Sequence, residues 1–288
     1  LDKKGRAFCW GGVKTPENAG QETVSPMKAL QLEIDAPTGR WAQVSVGNRF
    51  GCGRTTAGLV YCWGEGRLGQ LGSGRLTDEP SPVQVISLSG DVVDVKAGEN
   101  FACALSRQGS ISCWGDNASG QVGILPAAHR EKPVLVRSAA SFSRVFAGFD
   151  RTCALDVRQS AWCWRDNMAG QLGDGTSTAR ELPVMVPLSG VREVALGALY
   201  TCFLTADGRI ICTGDNAEGQ LGTGGEESRR FSPRHAVEFG ENAARSVCAG
   251  RSHACALLEN GAVRCWGRNA EGQLGTGDTK PRWMPVAA

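Results

Sequence analysis

Five cysteine pairs with one internal spacing constrain this chain more than any other feature. Cys52, Cys103, Cys153, Cys202 and Cys255 are each followed ten residues later by a second cysteine: Cys62, Cys113, Cys163, Cys212 and Cys265. The pairs recur every 49 to 53 residues, and other marks keep the same frame. Gly-Gln stands at 20–21, 69–70, 120–121, 170–171, 219–220 and 272–273. A proline follows each, at Pro26, Pro82, Pro133, Pro183, Pro233 and Pro285. Next comes an apolar residue with glycine, as in Ala97-Gly98 and Ala249-Gly250, and the cysteine pair then leads into Trp-Gly. A fixed period of this size marks a propeller or a solenoid.

Each unit reads as four short strands. In one copy these are 82–88, 91–97, 101–106 and 110–115, rich in aliphatic, aromatic and β-branched residues and bounded by Gly, Pro, Asn or Asp. The last two strands are joined by Arg107-Gln108-Gly109, and elsewhere by turns containing Asp207-Gly208 or Asn260-Gly261. Asp-Gly and Asn-Gly favour tight hairpins because both residues accept positive φ. No segment sustains a 3.6-residue apolar period, so helices are not expected. The predicted fold class is all-β, a propeller of four-stranded antiparallel blades.

The string from Ala249 to Gly275 resembles the repeat of the regulator of chromosome condensation family: Ala-Gly, His, Ala-Leu, a Gly turn, Trp-Gly, Asn, then Gly-Gln-Leu-Gly. The resemblance extends over the whole chain. Only one copy carries the motif's histidine, His253; the others have Phe50, Phe101, Arg151 and Tyr200. Trp-Gly becomes Trp164-Arg165 in one copy and Thr213-Gly214 in another. Proteins of this kind usually close seven blades, so a parent of six or seven is implied, incomplete at both ends here. The repeat frame predicts a single propeller domain. It places a partial blade at 1–11, full blades at about 12–64, 65–115, 116–165, 166–214 and 215–267, and a last fragment at 268–288.

The spacing of the cysteines bears on compartment. In a hairpin centred on Asp207, Cys202 and Cys212 face each other. Opposed residues of an antiparallel pair have Cα atoms about 4.5–5.5 Å apart, and disulfides span about 4.4–6.8 Å. Five such staples imply an oxidising location: extracellular, cell-surface or periplasmic. Cys9 matches Cys212, so its partner would precede Leu1. Cys248 has no counterpart and is expected to be a buried free thiol.

Other chemistry is sparse. The net charge is +2 with both signs mixed along the chain, which disfavours a nucleic-acid surface. No apolar run reaches the roughly 18 residues of a membrane span. His129, His235 and His253 are too dispersed for a metal site, and no cofactor is implied. The string Gly64-Glu65-Gly66-Arg67-Leu68-Gly69 fits a dinucleotide fingerprint only formally, because no βαβ unit surrounds it. Asn117-Ala118-Ser119 is a glycosylation sequon at a turn.

Function should therefore reside in a surface. The turn after each Ala-Gly varies most between copies, and it supplies the candidate partner-binding residues Arg49, Phe50, Phe101, Phe149, Arg151, Tyr200, Arg251 and His253. Aromatic and arginine side chains dominate interface hot spots. Trp41, Trp162 and Trp283 stand outside the repeat motif, with Trp283 the strongest candidate. The insertion from Gly11 to Glu17 is a further candidate recognition element. The expected role is a secreted or surface-attached, non-enzymatic and monomeric module that binds a protein or glycan partner. The alternative is guanine-nucleotide exchange on a small GTPase, which the family resemblance implies.

Overall fold

The computed structural model describes the backbone of residues 7–9 and 32–34, and residues 35–288 except 119, 125–127 and 226. All regular structure among them is β, with no helix. Strands β1 (Ala7–Cys9) and β2 (Leu32–Ile34) form a two-stranded sheet. Blade one comprises β3 (Trp41–Val46), β4 (Phe50–Thr55), β5 (Val60–Gly64) and β6 (Glu79–Gln84). Blade two comprises β7 (Val92–Ala97), β8 (Phe101–Ser106), β9 (Ile111–Asp116) and β10 (His129–Leu135). Blade three follows with β11 (Phe142–Gly148), β12 (Arg151–Asp156), β13 (Ala161–Arg165) and β14 (Arg180–Met185). Blade four has β15 (Val191–Leu196), β16 (Tyr200–Thr205) and β17 (Ile210–Asp215), its outer edge split into β18 (Arg229–Arg230) and β19 (Ala236–Val237). Blade five is β20 (Ala244–Ala249), β21 (His253–Leu258), β22 (Val263–Gly267) and β23 (Arg282–Ala287).

The strand content follows the repeat, but the blade boundaries do not fall where the sequence frame puts them. The Pro-Val strand pairs backward onto the hairpin before it: Val83 opposes Cys62, and Val286 opposes Cys265. The divisions at 64, 115, 165, 214 and 267 are corrected accordingly, each blade ending one strand later. Proline explains the placement, because a residue without an N–H is tolerated on an edge strand and not inside a ladder. Residues 268–288 thus complete blade five and begin no other. At the opposite end Cys9 opposes Leu32 as Cys62 opposes Val83, so β1 and β2 are the outer half of a unit. The Gly11–Glu17 insertion and the Cys9 side chain lie outside the described residues.

All five cysteine pairs are disulfides, each joining the two middle strands of its blade. Their Cα atoms stand 4.0–4.1 Å apart, in direct register. The core lies between blades. Cys52, Cys62, Val60 and Leu71 of blade one pack on Val95, Ala102, Ala104 and Trp114 of blade two.

Two devices lock neighbouring blades together. The loop carrying Gly-Gln reaches forward, and Trp114 Nε1 donates to Gln70 O at 3.0 Å, as Trp266 Nε1 does to Gln220 O at 2.9 Å. Where Thr213 replaces the tryptophan, Thr201 Oγ1 takes over and donates to Gln171 O at 2.7 Å. The inner strands also bridge through side chains. Gln43 Nε2 donates to Val95 O at 3.0 Å, and Ser45 Oγ accepts from Ala97 N at 2.9 Å. Arg192 Nη2 donates to Ala244 O at 2.6 Å. Backbone groups on an unpaired inner edge are satisfied this way.

Candidate partner-binding face

The chain reversals of each blade divide between two faces. One carries the turn from first to second strand together with the long loop from third to fourth. The pair is tied by Glu65 N to Arg49 O at 2.9 Å and by Asp215 N to Leu199 O at 2.8 Å. The other face carries the hairpin turns and the connections between blades, with clefts such as the one of about 400 Å³ bounded by Asp207, Arg209 and residues 237–243.

On the first face a hydrogen-bond belt links successive turns. Asn48 N donates to Glu99 O at 2.8 Å, Glu99 N to Phe149 O at 2.8 Å, and Ala198 N to Arg251 O at 2.9 Å. In blades one, two, four and five the turn is shaped by a glycine that lies under the residue at the family's histidine position, whereas Gly148 of blade three lies against Leu196. A Cβ on Gly47 would sit 2.1 Å from the Phe50 ring, and one on Gly98 would sit 2.2 Å from Phe101. These rings leave room for no side chain, which accounts for the Ala-Gly mark.

Between blades three and four Arg151 carries the link. Its Nη1 donates to Ala198 O at 2.7 Å, its Nη2 to Gly197 O at 2.7 Å and to Tyr200 O, and its Nε to Thr201 Oγ1 at 3.2 Å. Tyr200 repeats the action one blade on, its hydroxyl donating to His253 O and to Gly250 O at 3.2 Å. Both side chains are fully buried. Burial pulls the Arg151 guanidinium down to about 10, while Asp150 and Asp166 favour its charged form. Burial pushes the Tyr200 hydroxyl above its usual range, and it lowers the His253 imidazole.

The candidate residues therefore separate. Phe50, Phe101, Arg151 and Tyr200 are buried between blades, so their assignment to a binding face is corrected. Each is occupied by packing or by donating to carbonyls of the next blade. Phe149 and His253 are half-buried, whereas Arg49, Arg251 and Trp283 remain exposed. Arg49 holds a left-handed φ of 60° and pairs with Glu65 at 3.0 Å. Trp283 stands at the outer rim of this face, next to the loop glycine Gly219, and keeps 40% of its surface exposed. Trp41 is buried against Tyr61 and Trp63, and Trp162 donates to Asp156 Oδ2 at 3.0 Å near the opposite face.

The structure adds residues the sequence reading passed over. Met168 is 74% exposed and Leu199 44%, both on the turn-and-loop face. Met168 stands where other copies have Ala118, Ala217 and Ala270, a departure visible in the repeat frame. Asn167, Asn216 and Asn269 are buried loop pins whose Oδ1 atoms accept from Leu172, Leu221 and Leu274 N at 2.9–3.0 Å. Asn117 does the same for Val122 N at 3.2 Å and is fully buried, which rules out the sequon as an accessible acceptor. Cys248, expected to be buried, is an exposed free thiol. Among the described residues no cluster of three His, Cys, Asp or Glu side chains could hold a metal ion.

Arg165 occupies a position that is glycine in the other four blades. Its φ of 100° matches 103° at Gly64, 106° at Gly115, 111° at Gly214 and 100° at Gly267. A side chain there is strained, and Arg165 Nη1 is held by Asp150 Oδ2 at 2.8 Å.

Stacked four-stranded sheets with interlocking loops define a β-propeller. The chain belongs to the RCC1-like domain family, whose pattern it matches over residues 1–288. It is 30% identical over 274 residues to the human E3 ubiquitin-protein ligase HERC2, an alignment covering 92% of this chain and 6% of HERC2. The chain thus spans only a small part of that relative. Among solved structures it resembles human WBSCR16 with a TM-score of 0.80 at 22% identity, covering 90% of this chain and 70% of that one. It also resembles yeast RCC1 (Prp20), solved bound to Kap60, with a TM-score of 0.72 at 20% identity, covering 85% and 63%.

Proposed function

We propose that this chain is a non-enzymatic binding module of an oxidising compartment that recognises a protein partner through its turn-and-loop face. The observation that carries the reading is the division of labour on that face. Framework side chains are sealed between blades, while residues that differ from blade to blade stand exposed: Arg49, Leu199 and Arg251 on the turns of the hydrogen-bonded belt, Met168 on a neighbouring loop and Trp283 at the outer rim. A rigid scaffold presenting variable exposed side chains suits recognition at low entropic cost, and Trp, Met and Arg are enriched at interfaces. The five disulfides support export.

Photo-crosslinking groups placed at residue 251 or 283, and at residue 207 on the opposite face as a control, test this reading in the native source. Partner adducts from the first two positions and none from the third are expected. Adducts confined to residue 207 would overturn the choice of face. Arg251→Glu and Trp283→Ala should each weaken capture of that partner at least tenfold, with the fold unchanged by circular dichroism.

A further inference from the structure

Blade five contains three cysteines in one row. Cys248 opposes Cys255 across β20 and β21, and Cys255 opposes Cys265 across β21 and β22. Directly opposed residues of antiparallel strands project from the same face of the sheet. We propose that these three residues form an exchangeable site, in which the Cys248 thiol and the Cys255–Cys265 disulfide interconvert with a Cys248–Cys255 disulfide and a Cys265 thiol.

Ladder geometry makes the second pairing as feasible as the first. Cys255 and Cys265 have Cα atoms 4.1 Å apart, the spacing of a pair that exchanges no backbone hydrogen bonds. Such pairs alternate across a strand, so Cys255 directs its own N–H and C=O toward Cys248, at a Cα separation of about 5.5 Å. That falls inside the range of about 4.4–6.8 Å that disulfides span. The Cys248 thiol is already turned toward its neighbour, donating to Cys255 O at 3.6 Å.

The step balances without an external oxidant or reductant. The Cys248 thiolate attacks Cys255 Sγ and a new sulfur–sulfur bond forms. The Cys255–Cys265 bond breaks, and its electron pair departs on Cys265 Sγ, which takes up the proton that Cys248 gave up.

Blades one to four lack this option. The residues opposite their first cysteines are Ser45, Lys96, Phe146 and Ala195, and all eight of their disulfide cysteines are fully buried. In blade five Cys248 is exposed and Cys255 is half-buried. Exchange would move one staple from the middle hairpin to the inner strand and leave every other blade unchanged.

Tryptic cleavage after Arg245, Arg251, Arg264 and Arg268 puts the three cysteines on separate peptides, 246–251, 252–264 and 265–268. The protein is held at pH 8 for hours, then trapped with N-ethylmaleimide in acid and digested. The expected result is label on both Cys248 and Cys265, together with a linked pair of peptides 246–251 and 252–264. Label confined to Cys248 at every time would overturn the proposal. As a second arm, Cys265→Ser in oxidising buffer should form the Cys248–Cys255 bond and lose both free thiols. Two free thiols in a variant with an intact β spectrum would also overturn it. Should that variant fail to fold, the mapping of the unsubstituted protein decides alone.

Discussion

The junction between blades one and two and the junction between blades three and four solve one problem in two ways. In the first, Phe50 fills the space beside the turn and the backbone serves itself, Asn48 N meeting Glu99 O. In the second, a charged side chain replaces the ring, and Arg151 supplies donors to the carbonyls of Gly197, Ala198 and Tyr200. An apolar filler suffices where the belt closes, and a buried donor is used where a guanidinium bridges the turns. The same position in the repeat thus carries apolar packing in one place and a polar network in another.

The widest gap between the two junctions should come from deleting their central side chains. Arg151→Ala leaves the carbonyls of Gly197, Ala198 and Tyr200 without that donor and empties a fully buried site, which should cost about 3–5 kcal/mol. Phe50→Leu, a smaller change in the apolar junction between blades one and two, should cost less than about 1.5 kcal/mol. Urea unfolding of both variants checks the contrast, and equal losses would break it. Tyr200→Phe removes only the hydroxyl that meets Gly250 O and His253 O, and should cost about 1–3 kcal/mol in the same assay.

Arg165 sharpens the comparison further, since glycine fills its place in the other blades. Arg165→Gly and Arg165→Ala both lose the ion pair to Asp150, so their difference isolates the backbone. The glycine variant should be the more stable of the two by about 1–2 kcal/mol. The smallest effect concerns pH. Burial lowers the His253 imidazole, so the unfolded chain binds its proton first and stability falls as pH drops below about 6.5. Replacing His253 with phenylalanine, the residue at Phe50 and Phe101, should flatten the loss of melting temperature between pH 7.5 and 5.5.

Much of this was legible in the sequence, for physical reasons that differ by feature. A spacing of ten around a Gly turn fixes hairpin register, so Cys202 and Cys212 could be placed opposite each other before any coordinates. The blade boundaries were harder, because apolar strands do not declare which neighbour they pair with. Pro82, Pro133 and Pro183 held the clue, since each demands an edge. The role of Arg151 was not readable from residue type. Arginine is equally at home on an interface and between blades, and only the three carbonyls it meets decide the matter. The buried asparagines stood at one position in every later copy, next to Trp-Gly or its variants, yet asparagine at a loop reads as a turn until its Oδ1 partner is seen.

Everything said about compartment and architecture depends on the five staples being closed in the native protein. Intact-mass analysis after alkylation, with and without prior reduction, tests this most directly on material from the native source. The account predicts that Cys52, Cys62, Cys103, Cys113, Cys153, Cys163, Cys202 and Cys212 resist label until reductant is added, and that blade five contributes one reactive thiol. Labelling of all these cysteines in the folded, unreduced protein would contradict it.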